Sequence, residues 1–345
     1  MHQLLDLLKN KLQTGLHRKA VTSASRWAQR YRWMKNGLWN FDSHPWLRDM
    51  HDSEATVNVG QKSAQMGYTE TVLNITFYKM DIEGVDVLYV LPNQFPDASE
   101  FSSGRFDTAI DFSPHLASMF SDVRNVGHKK AGNINLYIRG SQSRSGLKSV
   151  PVAFLVLDEL AEMNQLNVPL AFERTSGQAE KWIWMISTPT VQGHGINKYF
   201  LDSTQEHFFF KCPHCSRQIE LRFPDSMFLF EEKEAEKSHL ICYECKHPLA
   251  NETKKEWLKN GIWVPQKAGM SDRGFHINQL YTISGTQPWE LAKEYYKSLL
   301  DPVVEQEFYN SKLGSVHAVK GAQLNDEEIA NCLGSHKNGE SKFQG

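Results

Sequence analysis

The chain has 345 residues, 40% of them hydrophobic and 11% aromatic, enough to bury one sizeable core with a smaller module attached. Its 38 basic and 40 acidic residues leave a net charge of -2, so any nucleic-acid partner must be met by local basic patches rather than by an overall basic field. No window approaches the roughly 18 consecutive apolar residues of a membrane-spanning helix, and the first twenty residues lack the unbroken apolar core and small-residue cleavage site of a signal peptide. A soluble, cytoplasmic protein with no membrane partner is expected.

The opening segment, MHQLLDLLKNKLQTGLHRKA, is amphipathic and begins an N-terminal helical region assigned to residues 1–40. From Ala55 to about Tyr199, β-rich runs alternate with helical stretches, the pattern of a mostly parallel sheet covered by helices. The predicted strands are Ala55 to Gly60, Val85 to Leu91, Ile134 to Gly140, Val152 to Asp158 and Lys181 to Ser187, near-continuous apolar runs of the kind that a sheet buried on both faces requires.

The segment QKSAQMGYTE (Gln61 to Glu70) follows the first strand and leads into a helix. Aligned to the phosphate-loop pattern G-x-x-x-x-G-K-[ST], Gly67 takes the second glycine and Thr69 the Mg²⁺-binding hydroxyl, but Tyr68 stands where the lysine belongs. Lys62, at the start of the loop, is long enough to curl back to the phosphates in its place. The loop residues Ser63, Ala64, Gln65, Met66, Gly67, Tyr68 and Thr69 are the expected nucleotide cradle, with the backbone amides from Ala64 to Thr69 and the helix N-terminus completing it. A solvated loop lysine after an ordinary glycine turn is the plainer alternative for this segment alone.

The run FLVLDEL ends an apolar strand in adjacent carboxylates, Asp158 and Glu159, at the edge where open α/β sheets bind ligands. Asp158 is suited to holding Mg²⁺, and Glu159 to activating the water that attacks a γ-phosphate. The later strand KWIWMISTPT ends in Ser187, Thr188 and Pro189, small groups able to sense that phosphate. Three such signals, in the right order and at neighbouring strand ends, point jointly to an ATP site.

Further on, Cys212-Pro-His-Cys215 and Cys242-Tyr-Glu-Cys245 form two C-x₂-C pairs separated by 26 residues, with β-rich sequence entering both. Four thiolates at this spacing predict a structural zinc ribbon with no open coordination position. The fifth cysteine, Cys332, is assigned no role. From Lys254 onward the sequence reads as mainly helical, and the last dozen residues as a disordered tail.

With these residues placed, the chain resembles the large terminase subunit of tailed bacteriophages, specifically the lambda-like GpA branch. The likeness is carried by SASRWAQRYR, HPWLRDM, QKSAQMGYTE, FLVLDEL, ISTPT, CPHC, CYEC, GFHINQLY and FYNSKLG. The lysine shifted ahead of Gly67, Tyr68 and Thr69 is a trait of that branch. The resemblance implies a RecA-like P-loop ATPase of the ASCE class, an α/β fold with a mostly parallel sheet, an inserted β-rich zinc ribbon and a helical C-terminal segment. It implies ATP, Mg²⁺ and Zn²⁺ as cofactors, with Lys62, Thr69, Asp158 and Glu159 in the roles given above. Trp46 corresponds to the aromatic of the family's adenine-binding stretch, where it would stack on the base or else lie in the core. An arginine contacting the γ-phosphate is implied as well. Arg105 is the first choice, with Arg139 and Arg144 as alternatives.

The domain division expected is 1–40 helical, 41–205 ATPase core, 206–252 zinc ribbon, 253–324 a helical segment completing the ATPase domain, and 325–345 linker or tail. The implied function is a DNA-packaging motor that drives double-stranded DNA into a procapsid as a homo-oligomeric ring, with a small terminase subunit and a portal protein as partners. The family's nuclease domain is not expected here, because the sequence runs out soon after Leu324. Two other readings stay open at this level. One is a different ATP-driven translocase, such as a helicase-like remodeller; the other is a non-enzymatic zinc-ribbon DNA-binding protein whose nucleotide site has decayed at Tyr68.

Overall fold

The computed structural model describes residues 21–148 and 150–317. The amphipathic first twenty residues, Cys332 and the predicted tail lie outside the described residues.

Eleven strands join in one sheet: β1 (Val57–Lys62), β2 (Val87–Leu91), β3 (Val123–Asn125), β4 (His128–Ala131), β5 (Ile134–Gly140), β6 (Phe154–Asp158), β7 (Trp182–Ser187), β8 (Glu206–Lys211), β9 (Gln218–Ile219), β10 (Ile262–Val264) and β11 (Arg273–Ile277). Across the sheet they run β9, β8, β11, β1, β7, β6, β2, β5, β4, β3, with β10 also pairing β8. From β8 to β5 all neighbours are parallel, and the strands beyond them pair antiparallel. β7 therefore lies between the strand that leads into the phosphate loop and the strand that ends in the two carboxylates.

Every residue of β2 and β6 is buried, as a sheet covered on both sides demands. Alternate side chains serve two separate cores. Val87, Tyr89, Val156 and Trp184 face one, beneath helices α1 (Ala24–Tyr31) and α2 (Tyr68–Tyr78), whose Trp27, Val72 and Phe77 are buried there. Leu88, Val90, Leu155 and Met185 face the other, covered by α3 (Val168–Phe172) and α4 (Gly195–Leu201). Among the described residues, no helix is long and apolar enough to cross a membrane.

Two expectations need correction. The stretch from Lys254 is not helical alone: beside the helices Lys254–Leu258, α5 (Pro288–Ser298), Pro302–Glu307 and Phe308–Lys312 it supplies β10 and β11, and β11 pairs directly with β1. The five residues RGFHI carry a glycine and two polar residues, so no apolar run marks them. Likewise HFFFK, read as the entrance to the zinc module, is β8 of the main sheet, running parallel to β11. There Glu206 is buried against Arg273, 2.7 Å away on the neighbouring strand.

Candidate nucleotide-binding and zinc sites

β1 extends two residues beyond its predicted end, so Lys62 is its last residue rather than the start of a loop. The turn that follows uses left-handed backbone at Gln65 (φ 61°) and Gly67 (φ 83°) before α2 begins. Its carbonyls are held from outside: Gln279 Nε2 donates to Ala64 O at 3.1 Å, and Trp46 Nε1 donates to Met66 O at 3.1 Å. His44 hydrogen-bonds the backbone of Gln65, and burial pulls its pKa down to about 4, keeping the ring neutral. In a trans peptide the next N–H points opposite to the carbonyl. The amides of Gln65 and Gly67 are thereby turned away from these partners.

This arrangement narrows the predicted cradle at Ala64 and decides where the Trp46 and Tyr68 side chains lie. The amides of Ser63 and Ala64 are already committed, to Ile277 O at 3.1 Å and Ser311 O at 2.7 Å, so they do not belong to an anion-binding set. Trp46 is wholly buried, edge-on to Phe208 and Tyr281, and no face of it is open to stack on a base. Its indole instead fixes the loop. The Tyr68 ring, 1% exposed, turns into the core over Gly60, where an added Cβ would sit 2.6 Å from the ring; only the Tyr68 backbone faces the loop.

The register levels the neighbouring strand ends, pairing Gln61 with Ser187 and Asp158 with Ile186. Glu159 leaves β6 in a left-handed conformation (φ 57°), costly for a non-glycine residue and typical of a position held for function. Its Oε1 meets Lys62 Nζ at 3.0 Å, and Ser187 Oγ lies 3.4 Å from its Oε2. The Ser187 hydroxyl also accepts from the Ala161 N–H and approaches Thr188 O at 2.9 Å. Asp158 is buried. Tyr89 OH donates to its Oδ2 at 2.6 Å, while its Oδ1 has no protein partner. Burial first, then the neighbouring Glu159 charge, raise its pKa to about 7 against the lowering pull of Lys62, Tyr89 and the Thr69 hydroxyl. Of the nine buried side-chain polar atoms without a partner among the described residues, four belong to Ser63, Asp158, Gln279 and Asn310, in or around this loop. Such clustering marks a polar site rather than scattered packing faults.

A cavity of about 620 Å³ opens beside Glu159, lined also by Asn93, Asp97, Glu100, Glu162 and Arg105. Arg105 reaches Glu70 Oε1 at 3.2 Å, and Glu70 Oε2 in turn holds the buried Arg32 at 2.8 Å. Arg139 is spent on the carbonyls of Gly127 and Ile138, which brace the β3–β4 hairpin. Arg144 is exposed on the helix Arg144–Lys148. Among the three candidate arginines, Arg105 alone shares a cavity with Glu159. Sequence reading missed Arg32, Glu70, Tyr89, Gln279 and Asn310. Four of them did carry a signal, since Arg32, Glu70, Gln279 and Asn310 sit inside the quoted stretches SASRWAQRYR, QKSAQMGYTE, GFHINQLY and FYNSKLG.

The four cysteines of the two pairs are unbridged, and their Sγ atoms all lie within 4.8 Å of one another, with Cys212 to Cys245 and Cys215 to Cys242 each at 3.9 Å. Zinc–sulfur bonds of about 2.3 Å in a tetrahedron separate the sulfurs by about 3.8 Å, so the set fits Zn²⁺. Both knuckles have the same form. The Ser216 N–H donates to Cys212 O and the Lys246 N–H to Cys242 O, and Ser216 and Lys246 are left-handed at φ 60° and 62°. His214 and His247 stack at 5.0 Å beside the knuckles and are not members of the cluster.

A parallel sheet with a phosphate-type loop after β1, two carboxylates at the end of β6 and a strand between them has the architecture of an ASCE-class P-loop NTPase. Residues 34–263 match the family described as phage terminase large subunit gpA, ATPase domain, and the chain belongs to that family. It is 23% identical over 302 residues to the terminase large subunit of Enterobacteria phage P21, a match covering 76% of this chain and 46% of that one. The chain thus spans about half the length of that relative. Among solved structures, the large terminase of bacteriophage HK97 superposes with a TM-score of 0.52 at 11% identity, over 85% of this chain and 54% of that one, which shows the shared fold. The large terminase ATPase domain of Thermus phage P74-26 gives a TM-score of 0.49 at 14% identity, over 79% and 92% of the two chains.

Proposed function

We propose that this chain hydrolyses ATP to drive double-stranded DNA into a procapsid. The observation that carries the reading is the meeting of Lys62, Asp158, Glu159 and Ser187 at the ends of three adjacent strands, beside a loop whose Ala64 and Met66 carbonyls are held by Gln279 and Trp46. The unpartnered Asp158 Oδ1 and the adjoining Thr69 hydroxyl suit the Mg²⁺ that accompanies ATP, which when bound neutralises charge on the phosphate oxygens. Lys62 would turn from Glu159 to the phosphates, freeing Glu159 to orient and deprotonate the attacking water. Ser187, with Thr188 beside it, stands where loss of the γ-phosphate alters its bond to Glu159. Arg105, on the cavity wall, supplies the positive charge for the phosphoryl group in flight.

DNA would be gripped chiefly through phosphates, making the grip sequence-tolerant and salt-sensitive. A homo-oligomeric ring, a small terminase subunit and a portal protein are the partners this work needs, and the host cytoplasm is its setting, where reduced thiols favour zinc over disulfides. The test is DNA-stimulated ATPase activity in the parent, Lys62→Ala and Glu159→Gln proteins. A parent that hydrolyses no ATP sinks the proposal; so does a Glu159→Gln variant as active as the parent.

A further inference from the structure

The stretch FYNSKLG has no part in the chemistry above, yet it touches the nucleotide site from two sides. Ser311 O accepts the Ala64 N–H at 2.7 Å, and Gly314 O accepts from Gln61 Nε2 at 3.0 Å, so this stretch holds the start of the phosphate loop. Asn310 Nδ2 donates to Thr190 O at 3.0 Å, with Gln306 Nε2 3.5 Å from the same carbonyl, so it also holds the loop that follows Ser187. The contacts close into a circuit. Gln61 Oε1 accepts from Asn197 Nδ2 at 2.9 Å, and Asn197 Oδ1 accepts the Gly193 N–H at 2.8 Å, three residues beyond Thr190.

The passage over the loop is tight. Gly314 has φ +62°, and a Cβ there would lie 2.6 Å from Ser63 N and 2.8 Å from Lys62 C, backbone atoms that cannot move aside. Just before it, the Leu313 carbonyl accepts from His276 Nε2 at 3.0 Å. Burial holds His276 near pKa 4, so the ring is neutral and its one N–H is fixed on that carbonyl. Asn310 is itself buried, and its Oδ1 has no protein partner, so its amide orientation is set by the donation to Thr190.

We infer that Gln306 to Gly314 is a clasp that fixes the phosphate loop relative to the loop after Ser187, and that Asn310 is a positioning residue for hydrolysis, acting through Thr190 without touching nucleotide. The inference rests on the ATP-hydrolysing reading above. Because Thr190 lies three residues from Ser187, a shift at the γ-phosphate sensor reaches Asn310 through one hydrogen bond. From there it passes along the helical segment Phe308–Lys312 to the phosphate loop.

The test uses the full chain and Asn310→Asp, which keeps the shape but replaces the N–H₂ donor with an acceptor facing a carbonyl. Misplacement of a group by about 1 Å can cost ~100-fold in rate, so kcat should fall at least ~10-fold while KM for ATP stays within about 2-fold. Amide exchange over residues 188–194 should accelerate in the variant without nucleotide, and Asn310→Gln, which retains a donor, should recover part of the rate. In the parent, adding ATP with Mg²⁺ should change exchange at residues 306–314 together with 188–194, a readout that stands even if Asn310→Asp does not fold. An Asn310→Asp protein with the parent's kcat and exchange overturns the clasp, as does a parent in which 188–194 responds to ATP and 306–314 does not. A parent that neither binds nor hydrolyses ATP overturns the nucleotide reading itself, and the clasp with it.

Discussion

Lys62 Nζ lies 3.0 Å from Glu159 Oε1, joining two residues 97 positions apart across the intervening strand. The pair is uneven in its burial, since the lysine side chain is 7% exposed and the glutamate 39%. Glu159→Gln should keep ATP binding near the parent's level and cut hydrolysis ~10²–10⁴-fold, the range for a general base. Lys62→Ala should weaken ATP binding and hydrolysis together, because the cation that reaches the phosphates is gone. Equilibrium nucleotide binding alongside steady-state ATPase separates the two; equal losses of binding in both variants would contradict these roles.

Asp158 gives a pH signature. Its pKa rises to about 7 on folding, chiefly through burial, so between the usual carboxylate range and pH 7 the folded protein binds the extra proton. Stability from this group is full at low pH and drains as pH climbs through that window. Asp158→Asn should remove the slope and make the nucleotide-free protein more stable at pH 8 by ~2–4 kcal/mol, while abolishing Mg²⁺-dependent hydrolysis. Thermal unfolding of both proteins from pH 5 to 8 checks it. A parent more stable at pH 8 than at pH 6, with an unchanged slope in the variant, would refute the assignment.

The five predicted parallel strands were legible from their apolar runs, most plainly in β2 and β6, where every residue is buried. β11 was not, since RGFHI owes its place to pairing with β1 and β8, a tertiary fact with no periodic trace. At the site, Asp158 and Glu159 were legible by position, following the apolar run FLVL, whereas Lys62, expected at the start of a loop, is the last residue of β1. The supports were not. Gln279 and Trp46 hold the loop, and Asn310 holds Thr190, from 20 to 215 positions away in sequence, and only the folded backbone brings their amides and indole to these partners. Trp46 misled because an aromatic near a nucleotide motif suggests stacking, whereas an indole N–H buried beside a turn serves equally well as a backbone tether.

Zinc removal should act on one module and spare the sheet. The ribbon root is tied to the core by Leu221, whose N–H donates to Tyr281 OH at 2.8 Å and whose carbonyl accepts from Asn278 Nδ2 at 2.7 Å. Beyond that root the module packs on the core through Met227, Ala235, Leu240 and Leu249, while the two knuckles converge on the thiolate cluster, and small zinc modules unfold without their metal. The purified chain should carry zinc, and chelation or Cys242→Ser should open residues 212–249 to protease while the fragment containing β1 to β7 stays resistant. Protease resistance of that region unchanged after complete metal loss would argue against a structural metal.

Tyr68 tests whether the phosphate loop has decayed or been rebuilt. Its ring packs over Gly60, burial drives its pKa well above the usual tyrosine value, and its hydroxyl has no protein partner. A side chain so directed cannot reach a phosphate from this backbone, whatever its chemistry. Tyr68→Phe, which deletes only the unpaired hydroxyl, should therefore leave ATPase activity intact and change stability by no more than about 1 kcal/mol, in the stabilising direction. Tyr68→Lys restores the lysine of the common motif yet buries an unpaired cation, and should destabilise the fold by roughly 3–5 kcal/mol. Combined with Lys62→Ala, it should not recover hydrolysis. If the double variant regained activity, residue 68 would be a phosphate contact after all, and Lys62 at the end of β1 would lose its claim to that role.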